Sequence, residues 1–295
     1  YIRPASGKCG EIENSRSAAM SMIAAVIGTP ISHSLSPAIH NAAFAAAHRD
    51  GEYMAVECGL NDVEATMSGL QADGLVGLSV TMPLKEAVID FLDFVTPDAD
   101  FLNAVNCISF GPSGSIGHNT DGDGCCDALI EQGGARLRGA TVVLLGAGGT
   151  ARSIALALVR RGAHVVVVNR TQSNAVGLVN SFAGFGDEVS ISVGDQSSIA
   201  SASILINATS VGMNSSDMPI DSSVLHNQLT VLDAVYSPLE TSLLAAARVT
   251  GATVVDGLWM LIHQARHQQK LWFGEFSDAS AMRLAAEREL SARRK

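Results

Sequence analysis

The sequence contains no Cys-x-x-Cys pair, and its five cysteines (Cys9, Cys58, Cys107, Cys125 and Cys126) are odd in number. This argues against a disulfide framework and a zinc ribbon, and it fits a reducing cytoplasm. The apolar run near the start, Ala18 to Ile27, is too short to span a bilayer and leads into Gly-Thr-Pro rather than a small-residue cleavage site. No membrane association and no signal peptide are expected. Basic charge is deficient: 19 Lys and Arg stand against 29 Asp and Glu, a net charge of −10, which disfavours nucleic acid and anionic lipid as partners. Repeat periods of solenoid proteins are also missing. What remains is a chain of 295 residues, 47% hydrophobic and 16% charged, with room for two domains and a cleft. Residues 1–21, largely polar and charged, are expected to be an extension outside the fold.

From Met22 onward, short β-rich runs alternate with helical segments, which indicates an α/β layer architecture. Strands are expected over Ser21 to Ile27, Tyr53 to Cys58 and Leu75 to Val80. Ser36-Pro37 is expected to open a helix to about His48, with Ser36 as N-cap, and Pro83 a second helix to about Phe94. The middle is clearer. Thr141 to Leu145 is an apolar strand, and the helix Thr150 to Arg161 places Ala151, Ile154, Ala155, Leu158 and Val159 on one face before Gly162 ends it. The strand His164 to Val168 completes a βαβ unit, extended by strands at Ile204 to Asn207, Val231 to Ala234 and Thr253 to Val255. Leu258 to Arg294 holds two helical stretches and no strand, so it is expected to pack back onto the first domain.

Between the first strand and helix of that unit stands Gly146-Ala147-Gly148-Gly149-Thr150-Ala151, a match to Gly-x-Gly-x-x-Gly/Ala in the context it requires. Glycines allow a tight turn and close backbone approach, and the N–H groups that open the helix suit a pyrophosphate. NAD-type versions carry an acid at the end of the second strand to hold the ribose. Here that place reads Asn169-Arg170-Thr171, with a guanidinium suited to a 2′-phosphate, so NADP is the expected cofactor.

Further motifs flank this unit: Val26-Ile27-Gly28-Thr29-Pro30-Ile31-Ser32-His33-Ser34-Leu35-Ser36-Pro37, Val80-Thr81-Met82-Pro83-Leu84-Lys85, Asn103-Ala104-Val105-Asn106 and Asn119-Thr120-Asp121-Gly122. After it come Asn207-Ala208-Thr209-Ser210-Val211-Gly212-Met213, Tyr236-Ser237-Pro238 and Asp256-Gly257 with Gln264. In this ordered combination the chain resembles the shikimate dehydrogenase family, which includes quinate dehydrogenases, from about Met22 to Gly274. The resemblance implies NADPH-dependent reduction of 3-dehydroshikimate to shikimate, a step of aromatic amino-acid biosynthesis, by a monomer or homodimer in the cytoplasm. It implies a discontinuous substrate domain (22–121 plus 258–295) and a Rossmann-type domain (122–257). Lys85 and Asp121 would form the catalytic pair, Ser34 and Ser36 would hold the substrate carboxylate, and Thr81, Asn106, Tyr236 and Gln264 would complete the substrate contacts. Thr209, Met213 and Gly257 would join Gly146 to Ala151 and Asn169 to Thr171 around the cofactor. A relative acting on quinate, or on quinate and shikimate together, and a non-catalytic NADP sensor that keeps the fold are the alternatives; retention of both Lys85 and Asp121 argues against the sensor.

Four positions depart from the family pattern. Ser79 stands where Asn usually precedes Val-Thr, Cys107 where Thr usually follows Asn106, Trp259 where a small residue is common, and Asn174 where NADP-type members often carry a second basic residue. His33, His40 and the pair His263 and His267 raise a metal reading, but Gln264 stands where a zincin needs Glu and the sequence indicates no third ligand, so no metal is expected.

The register of Arg170 generates the first prediction. Arg170→Ala should lower kcat/KM with NADP by about tenfold or somewhat more, because a charge-assisted contact is worth about 1.5–3 kcal/mol, while leaving NAD use little changed. Saturation curves for both nucleotides at fixed ionic strength read it, and equal losses would mean that Arg170 does not sense the phosphate.

Overall fold

The computed structural model describes residues 22–186 and 189–293. The expected extension at 1–21 lies outside the described residues. The first sheet contains β1 (Met22–Gly28), β2 (Glu52–Glu57), β3 (Gly77–Val80), β4 (Phe94–Val95), β5 (Cys107–Gly111) and β6 (Gly114–His118), in the order β2-β1-β3-β5-β6-β4. β1 runs parallel to both neighbours and is buried along Ala24 to Ile27, which is why its sequence is a continuous apolar run rather than an alternating one. Helices α1 (Ser36–Ala46), α2 (Val63–Ala72) and α3 (Pro97–Leu102) connect these strands.

Two local expectations are corrected here. No α-helix follows Pro83; the chain makes a short 3₁₀ segment over Ala87–Phe91 and then extends into β4. Asp93 accepts hydrogen bonds from the Ser115 amide (2.7 Å) and hydroxyl (2.8 Å), and Phe94-Val95 pair with Ile116-Gly117, so long-range pairing overrides the local helical pattern. The β5–β6 hairpin was not foreseen, because Ser, Gly and Pro dominate its sequence; Gly114 supplies the positive φ (108°) at its turn. At the start of α1, Leu35 rather than Ser36 is the N-cap, and the Ser36 amide donates to Ser34 Oγ at 3.2 Å. Capping therefore does not consume the Ser36 hydroxyl.

The second sheet is entirely parallel: β7 (Thr141–Leu145), β8 (His164–Val168), β9 (Ser190–Val193), β10 (Ile204–Asn207), β11 (Thr230–Asp233) and β12 (Thr253–Asp256) lie in the order β12-β11-β10-β7-β8-β9. The order reverses between β7 and β10, the switch point at which open α/β sheets bind ligands. α4 (Asp121–Glu131) leads into this sheet, and α5 (Gly149–Arg160), α6 (Gln172–Ser181) and α7 (Ser242–Val249) connect its strands. α5 buries Ile154, Ala155 and Leu158 against Val142, Leu144 and Val165, as its periodicity requires.

α8 (Gly257–Phe273) and α9 (Ala279–Ala292) return to the first domain, where Leu258, Ile262 and Ala265 with Met282 and Ala286 bury the N-cap Leu35 and, on α1, Ile39 and Ala43. Asp256 starts α8 by accepting from the Leu258 amide (3.1 Å) and is held by the two terminal nitrogens of Arg283, Nη1 and Nη2 (2.6 and 3.0 Å). The architecture is thus the expected two-domain α/β fold with the C-terminal helices packed back. Among the described residues, no helix is long and apolar enough to cross a membrane.

His40 on α1 is wholly buried, stacked on Tyr53 with ring centroids 4.2 Å apart, and 2.8 Å from Gln269 Nε2 through Nδ1. Burial pushes its imidazole from 6.5 down to about 3. The native state keeps the ring neutral while the unfolded chain takes up a proton, so stability falls as pH drops from about 6.5 toward 3. His40→Phe should reduce the stability lost between pH 7 and pH 5 by about 2 kcal/mol, read by urea denaturation at both pH values. An unchanged loss would show that the native ring takes up a proton freely.

Candidate active site

The site grows from strand ends. Where β1 and β3 stop, Thr29 N donates to Met82 O (3.1 Å) and Thr81 N to Ile27 O (3.0 Å), locking the two loops together. Gly28 is required there, since a Cβ would lie 2.4 Å from Thr81 Cγ2 and 2.9 Å from Met82 O. Leu84, fully buried, anchors the next turn, and Lys85 O accepts from Val105 N at 2.8 Å. The lysine ammonium is thereby aimed at the N-terminus of α4, where Nζ lies 2.5 Å from Asp121 Oδ2.

Asp121 occupies that position because α4 is wedged between α5 and α8. A Cβ on Gly122 would meet Ser153 O at 2.2 Å, and one on Gly124 would meet Gln264 N at 2.5 Å, so only glycine admits both neighbours. The other Asp121 oxygen, Oδ1, accepts from Asn106 Nδ2 at 2.7 Å. The Asn106 carboxamide cannot be turned over, because its Oδ1 receives the Thr120 backbone amide at 2.8 Å. Nδ2 also lies 3.3 Å from Gln264 Oε1, and Gln268 Nε2 donates to the same oxygen at 2.8 Å. Ser79 Oγ, 2.5 Å from Gln268 Oε1 and 2.6 Å from the Tyr53 hydroxyl, extends the buried network. Desolvation raises the Tyr53 phenol pKa and keeps it a neutral donor.

A cleft of about 420 Å³ brings together Ser36, Thr81, Lys85, Asn106, Asp121, Tyr236 and Gln264 from the expected substrate set. Ser34 does not line it; its hydroxyl receives the Ser36 amide, and Arg293 Nη2 donates to its carbonyl at 3.1 Å. Burial raises the Tyr236 phenol above its ordinary range, with the positive charge of Arg293 acting the other way. From the expected cofactor set, Thr150, Thr209, Met213 and Gly257 border the same cleft. Ser79, noted above as a departure from the family pattern, lines the cleft as well, together with Gln268, which no motif indicates although it stands one helical turn beyond Gln264.

The nucleotide edge follows from sheet register. Leu145, Val168, Asn207, Asp233 and Asp256 are aligned across the five strands, so the residues after them, Gly146, Asn169, Ala208, Ala234 and Gly257, emerge along one edge. Gly146 has φ +113° and backs onto Ala208 O, while a Cβ at Gly148 or Gly149 would meet nothing within 4 Å. α5 begins there with no side-chain cap among the described residues, leaving its first amides as donors to a ligand. The Ala151 side chain is fully buried in the core, so only its backbone faces that role. Arg170 and Thr171 are exposed at the end of β8, and Asn169 Nδ2 shapes the turn by donating to Thr171 O at 2.8 Å. Thr209 Oγ1 is occupied locally, donating to Asn207 Oδ1 at 2.7 Å. An open glycine loop, uncapped amides and an exposed guanidinium fit a dinucleotide phosphate.

Contrary to the sequence expectation of no third ligand, the fold brings carboxylates to His263: one ligand atom each from Asp127, Glu131 and His263 lies within 4.8 Å of the others. Those carboxylates already face Arg266 (3.1 Å from Glu131), His267 (2.8 Å from Asp127) and Arg161 (4.0 Å from Asp127). Arg266 Nη1 lies 2.9 Å from His263 Nδ1, which leaves the ring proton on Nε2, the atom turned toward the acids. A protonated nitrogen among paired charges is a poor ligand set.

A Rossmann sheet, a glycine loop at its switch point and a lysine–carboxylate pair across the cleft define a two-domain, dinucleotide-dependent oxidoreductase. Residues 26–108 match the family described as shikimate dehydrogenase substrate binding domain, and residues 128–217 match shikimate / quinate 5-dehydrogenase. The chain belongs to the shikimate/quinate dehydrogenase family. It is 41% identical over 267 residues to a shikimate dehydrogenase (NADP(+)) of Methanosarcina mazei, covering 86% of this chain and 94% of that one. It is similar to the Thermus thermophilus shikimate 5-dehydrogenase solved with NADP(H) and shikimate (34% identity, TM-score 0.82, 91% of this chain and 99% of that one). It is also similar to a 5-ketofructose reductase of Gluconobacter (30% identity, TM-score 0.85, 91% and 98%).

The wedge of α4 gives a stability prediction. Gly122→Ala should cost about 1–3 kcal/mol by overpacking against Ser153 O, and it should lower kcat by displacing Asp121. Chemical denaturation and initial rates check it; wild-type stability would mean that α4 and α5 separate easily.

Proposed function

We propose that the protein is an NADP-dependent shikimate dehydrogenase that reversibly reduces 3-dehydroshikimate to shikimate. The observation that carries this reading is the Lys85–Asp121 pair, placed across the cleft from the phosphate-suited edge of the second sheet. NADPH, when bound, supplies the hydride. As negative charge grows on the substrate oxygen, the Lys85 ammonium stabilises it and gives up a proton; in the reverse direction the neutral amine takes the proton back. Asp121 holds Nζ in line and is itself oriented by Asn106.

In the same cleft, Ser36, Thr81 and Tyr236 are hydroxyl donors suited to a carboxylate, with Ser36 in the first turn of α1. Ser34 supports Ser36 from behind. Asn106 and Gln264 serve the ring hydroxyls. Gly146 to Ala151 take the pyrophosphate and Asn169, Arg170 and Thr171 the ribose phosphate, while Thr209, Met213 and Gly257 border the nicotinamide end. We assign residues 22–121 and 258–295 to the substrate domain and 122–257 to the NADP domain, with a place in aromatic amino-acid biosynthesis.

A spectrophotometric assay of shikimate, quinate and 3-dehydroshikimate with NADP(H) and NAD tests the substrate assignment: faster turnover of quinate would replace it, and nucleotide binding without turnover would restore the sensor reading. Lys85→Ala should lower kcat by about 10²- to 10⁴-fold with nucleotide affinity kept. Ser36→Ala should raise KM for shikimate by about tenfold or more, and by more than Ser34→Ala does, because only Ser36 reaches the cleft. A Lys85→Ala enzyme that keeps more than about a tenth of kcat would remove the lysine from its role.

A further inference from the structure

The hydrogen-bond directions in the buried wall of the cleft are fully determined. The backbone carbonyl of Asn106, which can only accept, lies 3.2 Å from Gln268 Nε2, and the second Nε2 proton goes to Gln264 Oε1 at 2.8 Å. The Gln268 carboxamide therefore points Oε1 at Ser79, 2.5 Å away. An amide oxygen cannot donate, so the Ser79 proton goes to Gln268, and the Tyr53 proton must then go to Ser79 Oγ at 2.6 Å. Every proton on Ser79 and Gln268 is committed inside the protein. What both residues retain toward the cleft they line is acceptor capacity alone.

We propose that Ser79 and Gln268 form an acceptor-only subsite that selects a ligand hydroxyl and rejects, at that position, a group with no proton to donate. Gln268 is then a specificity-determining residue, supplied by α8 beside Ser79 of β3. This rests on the reading that the cleft takes a hydroxylated ring acid. The subsite sets acceptors at Ser79 and Gln268 in the same cleft as the hydroxyls of Ser36, Thr81 and Tyr236, which can donate.

The test pairs residue with substrate group. Shikimate and the two single-deoxy analogues that keep the oxidised hydroxyl, each lacking one of the other ring hydroxyls, are compared with wild type, Gln268→Met and Ser79→Ala, alongside thermal unfolding of each protein. Wild type should lose about two- to tenfold in kcat/KM for an analogue that lacks the hydroxyl held here, and that gap should shrink toward unity in Gln268→Met for that analogue alone. Ser79→Ala should shrink the same gap, which keeps the test decisive if Gln268→Met fails to fold. Identical analogue ratios in wild type and variants would overturn the subsite and leave the two residues as packing, while the shikimate reading stands. Wild type that turns over no ring acid would overturn both.

Discussion

The carboxamide of Asn106 ties together three segments that are remote in sequence. Its oxygen receives the Thr120 amide, its nitrogen reaches Asp121 Oδ1 and Gln264 Oε1, and its backbone carbonyl takes both Val80 N and Gln268 Nε2. The end of β3, the start of α4 and the middle of α8 are all fixed by this one residue. Two backbone groups decide which way round the amides lie, and from them the direction of each bond out to Tyr53 follows. A buried polar network of this kind stabilises only if every member is satisfied, and here each amide proton but one of Gln264 has a partner in the protein.

The second sheet solves a separate problem, which is how to present residues from five strands along a single edge. Parallel pairing in continuous register does this, and buried polar pairing stiffens the edge. Asp233, wholly buried, accepts from Asn207 Nδ2 (2.8 Å), Val235 N (3.1 Å) and Thr241 Oγ1 (2.7 Å). Burial raises its carboxyl above the usual range, opposed by those three donors. The bonds fix the path of the chain into Tyr236 on one side and, through Asn207, into Thr209 on the other. The cleft therefore has a substrate wall set by side-chain amides and a nucleotide wall set by strand register.

Five strands of the second sheet, β7, β8, β10, β11 and β12, were legible because each is a short, largely apolar run, and the glycine loop because positive φ and close approach admit little else; β9, Ser-Ile-Ser-Val with its serines exposed, was not, since it forms by pairing with β8. The hairpin at Cys107 to His118 and the strand at Phe94-Val95 were not, since their formation depends on pairing across the sheet and on the Asp93–Ser115 bonds rather than on local pattern. Pro83 suggested a helix, but the proline sits in a turn held by β1 contacts.

The sequence by itself determined the two-domain α/β plan, the glycine loop and most of the residue types gathered at the cleft, because motif spacing and hydrophobic period are local properties. Only the tertiary structure decided that Ser36 and not Ser34 faces the cleft, that the Thr209 hydroxyl is spent on its own turn, that carboxylates from α4 surround His263, and that Gln268 meets Ser79. Each of these depends on packing between elements far apart in the chain, where a few tenths of an ångström settle which proton goes where, and no spacing rule carries that information.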